Sequence, residues 1–377
     1  MLMRNKLFYS AVATLIGTTM GAGILGMPYV IAKSGFLTGT LLIVCLGLLM
    51  MGLNLALGEV VLRTKGNHQL AGYAERYLGK WGKYLMSFSM IIGLYGALIA
   101  YTIAAGQSLF AIFNIASPLI LSLVFFAFAT VVIYYGIHVL EKVEFVFGVI
   151  MLSFLAIMIA VSLKSPSFLV ENLTTFNFYN LLFPFGVILF SFLGTIAIPE
   201  MKEELAFHKD QLKKAIIVGT LIPLVTYFIF SLSVIGVFGA NTTQMVTIGF
   251  GELFGSNMIL LANLFALIAM ITSFTAVGIA LSEFYNYDCK FSKFYSFFLV
   301  SLITLLFILS GVTDFTKTIG VVGTLSGGIE GILIVLMFWQ AQKFGDRVPE
   351  YTLGRFKVRG VALILVFFVG ISYLFFG

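Results

Sequence analysis

Residues 17–28 read Gly17-Thr18-Thr19-Met20-Gly21-Ala22-Gly23-Ile24-Leu25-Gly26-Met27-Pro28, inside an apolar stretch that runs from about Leu7 to Ala32. A membrane-spanning helix tolerates that much glycine, threonine and proline only where the freed backbone groups meet protein, water or a ligand. The stretch therefore predicts a helix broken at mid-span. Spans interrupted in this way point to the binding sites of secondary transporters.

The rest of the chain agrees with a membrane setting. Hydrophobic residues make up 60% of the 377 and charged residues 10%, against roughly 25% charged in a soluble domain; the mean hydropathy is +1.08. Runs of about 20 apolar residues predict eleven spans, near 8–32, 36–62, 84–113, 118–136, 142–163, 180–201, 213–238, 257–283, 293–311, 317–340 and 358–376. Runs this long and continuous do not alternate with period two, which excludes strands. With the N-terminus inside, all but Lys33, Lys164 and Lys317 of the 22 Lys and Arg fall in cytoplasmic segments. That asymmetry sets the orientation, with the C-terminus outside. It also accounts for the net charge of +6 without a nucleic-acid partner. The first apolar run lacks a small-residue cleavage site and reads as a retained span rather than a signal peptide.

Two further features belong to the cytoplasmic side. Between Lys65 and Lys83, the residues Leu70, Tyr73, Ala74, Tyr77, Leu78 and Trp81 recur at helical spacing among charged neighbours. They predict an amphipathic helix on the membrane surface, either a simple anchor or a gating element. Cys45 and Cys289 lie far apart, one in a span and one in a cytoplasmic loop, with no metal-ligand spacing. The histidines, His68, His138 and His208, all fall in inside loops.

A second break mirrors the first. Span six carries Phe190-Ser191-Phe192-Leu193-Gly194-Thr195-Ile196-Ala197-Ile198-Pro199-Glu200, and Gly194 precedes Pro199 by the same five residues that separate Gly23 from Pro28. Five spans lie from one break to the next, and an odd number per repeat turns the second copy upside down. The expected organisation is one transmembrane domain over 1–377, with repeat one at about 7–163, repeat two at about 180–340 and an extra helix at about 358–376. Two broken helices make a polar site without charged side chains. Exposed N–H groups suit a carboxylate, and exposed carbonyls suit a cation. An amino acid zwitterion needs both. The bland alternative is a pair of kinks for tight helix packing.

The stretch Gly21-Ala22-Gly23-Ile24-Leu25-Gly26-Met27-Pro28 resembles the first span of the amino acid/auxin permease group within the amino acid-polyamine-organocation superfamily. Its hydroxy and aromatic amino acid (tryptophan/tyrosine) permease branch is the most similar part. Thr272-Ser273-Phe274 with Gly278-Ile279-Ala280-Leu281, Ile222-Pro223-Leu224-Val225 and Glu59-Val60 resemble its eighth, seventh and second spans. The resemblance implies an all-α polytopic fold of the LeuT type, a 5+5 inverted repeat with broken helices 1 and 6 plus an eleventh transmembrane helix. It also implies cation-driven amino acid uptake. For substrate it implies Thr18, Thr19, Gly21, Ala22 and Gly23 in span one and Phe190, Ser191, Phe192 and Thr195 in span six. Tyr95 or Tyr101 would close the carboxylate side. A sodium site would map to Gly17, Met20, Ala269, Thr272 and Ser273. The branch is associated with protons as well, so H⁺ and Na⁺ both remain open as the coupling ion; no other metal or cofactor is expected. The ordinary alternative for Thr272-Ser273 is back-bonding to the previous turn's carbonyls.

Ionisable groups at membrane depth are costly and mark function by default. Glu330, about thirteen residues into span ten, lies roughly 20 Å from its outer end at 1.5 Å per residue. It is the candidate for proton coupling or gating. Glu59 and Glu200, near the inner ends of spans two and six, are expected either to latch a gate onto cytoplasmic Arg or Lys or to form structural ion pairs. No hydrolase or metalloprotease motif stands in the spans, which argues against an enzyme, and no ring of pore-lining charge suggests a channel. The expected function is secondary active import of neutral or aromatic amino acids across the cell membrane. The alternatives are transport of another small amine or organic ion, or an amino acid sensor with little flux.

Overall fold

The computed structural model describes residues 2–135, 140–287, 290–311, 314–354 and 357–376; His138 and Cys289 lie outside them. The described residues form helices and no strands. In an apolar medium each backbone N–H must bond within its own helix, and the long Leu, Ile and Phe runs supply no side chain that competes for it.

Span one is two helices, α1 (Leu2–Thr19) and α2 (Gly23–Ser34), bent by 56° across residues 20–22. Span two is α3 (Phe36–Arg63). The predicted surface helix and span three are one 44-residue helix, α4 (Leu70–Phe113), kinked at Gly79 with φ 75°. Only glycine takes that left-handed conformation at little cost. Spans four and five are α5 (Pro118–Tyr135) and α6 (Leu140–Leu163). Span six is again split, into α7 (Phe185–Ser191) and α8 (Ala197–Glu204). Span seven is α9 (Leu212–Phe238). A helix absent from the sequence reading, α10 (Val246–Phe254), precedes span eight, α11 (Ser256–Tyr287). Its nine residues are too few to register as a span. Span nine is α12 (Lys293–Leu309). Span ten runs as α13 (Phe315–Val322), a π-helical turn at Gly323–Gly327, and α14 (Gly328–Phe344). Span eleven is α15 (Lys357–Phe376).

Among the described residues, six helices are long and apolar enough to cross a membrane, or seven if the bent pair α1 and α2 is one span. Shorter apolar helices stand where spans four, five and nine were expected. Large apolar side chains such as Phe128, Val131, Leu365 and Phe368 point outward from the bundle, the reverse of a soluble surface.

The first turns of α4 depart from expectation. Leu70, Tyr73, Ala74 and Tyr77 are buried, whereas Trp81 is exposed. Their apolar face covers protein rather than lipid: Tyr77 Oη pairs with Thr64 Oγ1 at 2.7 Å. A strap over residues 345–354 closes the same end. Arg63 O accepts from the N–H groups of Asp346 and Arg347 at 2.8 and 3.2 Å. Tyr351 Oη donates to Leu55 O at 2.7 Å.

Close helix contacts fix the centre, as small residues do in membrane bundles. A Cβ on Gly23 would lie 3.0 Å from Ser191 Cβ and 3.1 Å from its Cα. A Cβ on Gly194 would lie 2.5 Å from Thr19 Oγ1. The two breaks therefore abut. On the other side of α7, a Cβ on Gly327 would lie 3.0–3.1 Å from Leu189 and Leu193, so the π-helical turn of span ten rests on span six.

Candidate functional site

Both breaks present backbone. Neither α2 nor α8 has a side-chain cap; backbone carbonyls within the breaks serve there, Ala22 O for Leu25 N–H at 3.0 Å and Gly194 O and Thr195 O for Ala197 and Ile198 N–H at 3.1 Å. The carbonyl ends of α1 and α7 meet a shared donor, Tyr227 of α9. Its hydroxyl lies 2.9 Å from Thr19 O and 2.9 Å from Ser191 O. Tyr227 is fully buried, with its ring edge-on to Phe192 at 5.2 Å between centroids. The sequence reading missed it, because a lone tyrosine inside an apolar span looks like any aromatic facing lipid. Pro223, one turn earlier, was the only signal nearby; proline breaks the helical hydrogen-bond ladder.

The structure separates the two span-three tyrosines. Tyr101 Oη lies 3.5 Å from where a Cβ on Gly21 would stand, with Ser273 of α11 as a polar neighbour. Tyr95 instead pairs with Tyr285 Oη at 3.1 Å and donates to Leu299 O at 3.2 Å, facing spans eight and nine. Thr18 and Thr19 donate back to Thr14 O and Leu15 O, and Ser191 donates to Val187 O. Met20, Ala22 and Gly23 are buried at the first break. Phe192 points toward α3, where a Cβ on Gly47 would lie 3.0 Å from its ring tip. Phe190 is half-buried beside Gly323.

Glu330 reaches the second break. Its Oε1 is paired with Thr195 Oγ1, and the side chain is 4% exposed. Thr195 lies in the five-residue gap between α7 and α8. The π-helical turn just before α14 sets the phase that aims the carboxyl there; such turns recur at functional sites.

The five residues mapped to a sodium site divide between the end of α1 with its break (Gly17, Met20) and α11 (Ala269, Thr272, Ser273). Gly17 is exposed, and a Cβ built on it meets nothing within 4 Å. Thr272 Oγ1 bonds back to Ile268 O and Ala269 O at 3.1 and 3.0 Å. Ser273 neighbours Tyr101. Helix α11 packs chiefly on α4, α10, α12, α5 and α6 rather than on α1.

At the inner end, Glu59 pairs with Arg63 on its own helix at 2.8 Å and accepts from Leu353 N at 2.6 Å. It fastens the strap to α3. Glu200 is exposed in the first turn of α8. The tie between span six and the loop before α4 comes from a residue not singled out. Lys202 Nζ donates to Gly66 O at 2.5 Å and Thr64 O at 3.4 Å, and stands 5.8 Å from the centre of the Tyr73 ring.

A helical bundle with two half-helix breaks set side by side defines a class by its architecture, the LeuT-type fold. Solved structures agree at the level of fold. MhsT in complex with L-phenylalanine superposes with a TM-score of 0.66 at 14% identity over 97% of both chains. MHP1, a nucleobase-cation-symport-1 family transporter closed on bromovinylhydantoin, gives 0.62 at 12% identity over 97% of this chain and 92% of that one. Within the class, residues 3–376 match the tryptophan/tyrosine permease family, and the chain belongs to it. It is similar to tyrosine-specific transport system 1 of Haemophilus influenzae, 28% identical over 94% of this chain and 92% of that protein. Glutamine transporter 2 of Aliivibrio fischeri is 29% identical over 74% of each. The protein is thus a multi-pass membrane protein of an amino acid transporter family.

Proposed function

We propose that the protein imports neutral or aromatic amino acids across the cell membrane by alternating access, drawing on an ion gradient, with its N-terminus in the cytoplasm and its C-terminus outside. The observation that carries this reading is the abutment of the two broken helices, with Glu330 aimed into the second. Thr19 to Gly23 and Ser191 to Thr195 would hold the zwitterion between them, and Tyr101 would close the carboxylate side. The two halves would be inverted repeats of five spans, with span eleven outside them. Relatives named for tyrosine and glutamine support an uncharged amino acid as substrate. Either a proton or a sodium ion would drive it, with Glu330 at the second break as the candidate proton carrier. Gly17 and Ile196 are exposed on what would be the inner side, whereas Gly26, Met27, Phe315 and Ile319 are buried toward the outer side. That contrast supports a conformation closed to the outside.

The test is uptake of each labelled amino acid into proteoliposomes under an imposed proton gradient and, separately, a sodium gradient. Concentrative uptake of one neutral or aromatic group under the proton gradient is expected. Folded protein that accumulates no amino acid under either gradient would remove the substrate assignment and leave the fold.

A further inference from the structure

Tyr227 does more than fill space between helices. Thr19 O and Ser191 O are the carbonyl ends of α1 and α7, where each span breaks; Thr19 O also accepts from the Gly21 N–H at 3.0 Å. Each lies 2.9 Å from one hydroxyl, on a third helix. A buried unpaired carbonyl is costly, and in a membrane bundle no bulk water relieves it. One neutral O–H therefore serves two acceptors that belong to two different broken spans. Its aim is fixed: the ring is wholly buried and held edge-on by Phe192. The breaks themselves touch, since a Cβ on Gly194 would lie 2.5 Å from Thr19 Oγ1.

We propose that Tyr227 is a positioning residue that pins the carbonyl ends of both broken helices to span seven, so that the two breaks loosen and tighten as one unit. The hydroxyl carries a single hydrogen, so its bond is shared or alternates between the two carbonyls. Because both carbonyls are held against the same ring on α9, displacing either end pulls on the anchor of the other. A neutral donor also does, without charge, what a bound cation would do for two facing carbonyls.

Amide hydrogen exchange tests this without reference to any substrate. Tyr227→Phe keeps the ring against Phe192 and removes the donor. The expected result is faster exchange at both 20–24 and 192–198, by about tenfold, with the helix over 118–134 unchanged. Faster exchange at only one break, or at neither, overturns the proposal. Placing 4-aminophenylalanine at 227 restores a donor and is expected to restore wild-type exchange at both breaks. If that variant exchanges like Tyr227→Phe, the hydroxyl was not the pin. A global rise that includes 118–134 marks a folding defect in the Phe variant, and the amino variant then decides. In proteoliposomes, a pin predicts that Tyr227→Phe lowers kcat with KM nearly unchanged; loss of KM alone would overturn it. Wild-type protein with no uptake would sink the transport reading, while the exchange experiment would still judge the pin.

Discussion

Glu330 is a carboxyl buried beside a threonine hydroxyl, with no cation within reach among its recorded partners. A hydroxyl can donate to a carboxylate or accept from a carboxylic acid, so Thr195 accommodates either state. Replacing the acid by its amide keeps the shape and removes the titration. Glu330→Gln is expected to lower proton-driven accumulation by at least about tenfold while exchange of bound for external substrate persists, as measured by counterflow. Accumulation at the wild-type level would end the coupling role. Gly23 faces the opposite problem, lack of room. Gly23→Ala would press a methyl against Ser191, with a backbone atom 3.1 Å away. Overpacking of this kind costs about 1–3 kcal/mol, and a thermal melt in detergent should show the lower Tm. The residue scale is also where the sequence said least. Glu330 announced itself, because an acid deep in a span has few innocent explanations. Tyr227 did not, since its importance lies in which two carbonyls it meets, and those belong to residues far away in the chain.

At the scale of elements, the breaks were legible and their surroundings were not. Glycine and proline within apolar runs mark where a helix must open, and both openings fall within the quoted stretches. Periodicity also marked the apolar face of residues 70–78. It could not say whether that face would meet lipid or protein, because both are apolar. The structure sets it against the bundle, through Tyr73 and Tyr77. Lys202 of α8 holds the loop just before this element, with the backbone carbonyls of Thr64 and Gly66 as acceptors. Lys202→Met retains the apolar stem but strands those carbonyls. Exchange at residues 64–67 is expected to rise severalfold, and a cysteine at Ile196 to react faster with a membrane-impermeant thiol reagent, with neither change in Lys202→Arg. Unchanged reactivity would assign Lys202 to anchoring alone.

For the whole molecule, the strap over 345–354 ties the inner end together from outside the bundle. Glu59, fully buried, holds Arg63 and the Leu353 N–H. Removing one partner of such a pair strands the other, and Glu59→Ala should cost on the order of 3 kcal/mol, read again as a fall in Tm. Asp346 is the exposed counterpart. The Lys65 backbone N–H and the Arg76 guanidinium hold its carboxyl below the usual carboxylate range. A depressed value stabilises the fold above the unfolded pKa and loses that contribution only as pH falls through the folded one. The unfolded value is about 3.9, so the strap should stay fastened from pH 5 to 8. Any pH dependence of transport in that range should survive Asp346→Asn, and a flattened profile in that variant would contradict this.

Span eleven has a consequence of its own. Phe367 lies over Gly331 and Ile371 over Gly328, the glycines that flank Glu330 on α14. Acyl chains are kept from that flank of the acid, so the helix serves as electrical insulation. If Glu330 carries the coupling proton as proposed, that proton would be screened from lipid on this flank. Thinning the sheath with Phe367→Ala should then show itself as a proton leak in sealed vesicles, a dissipated gradient with no substrate present.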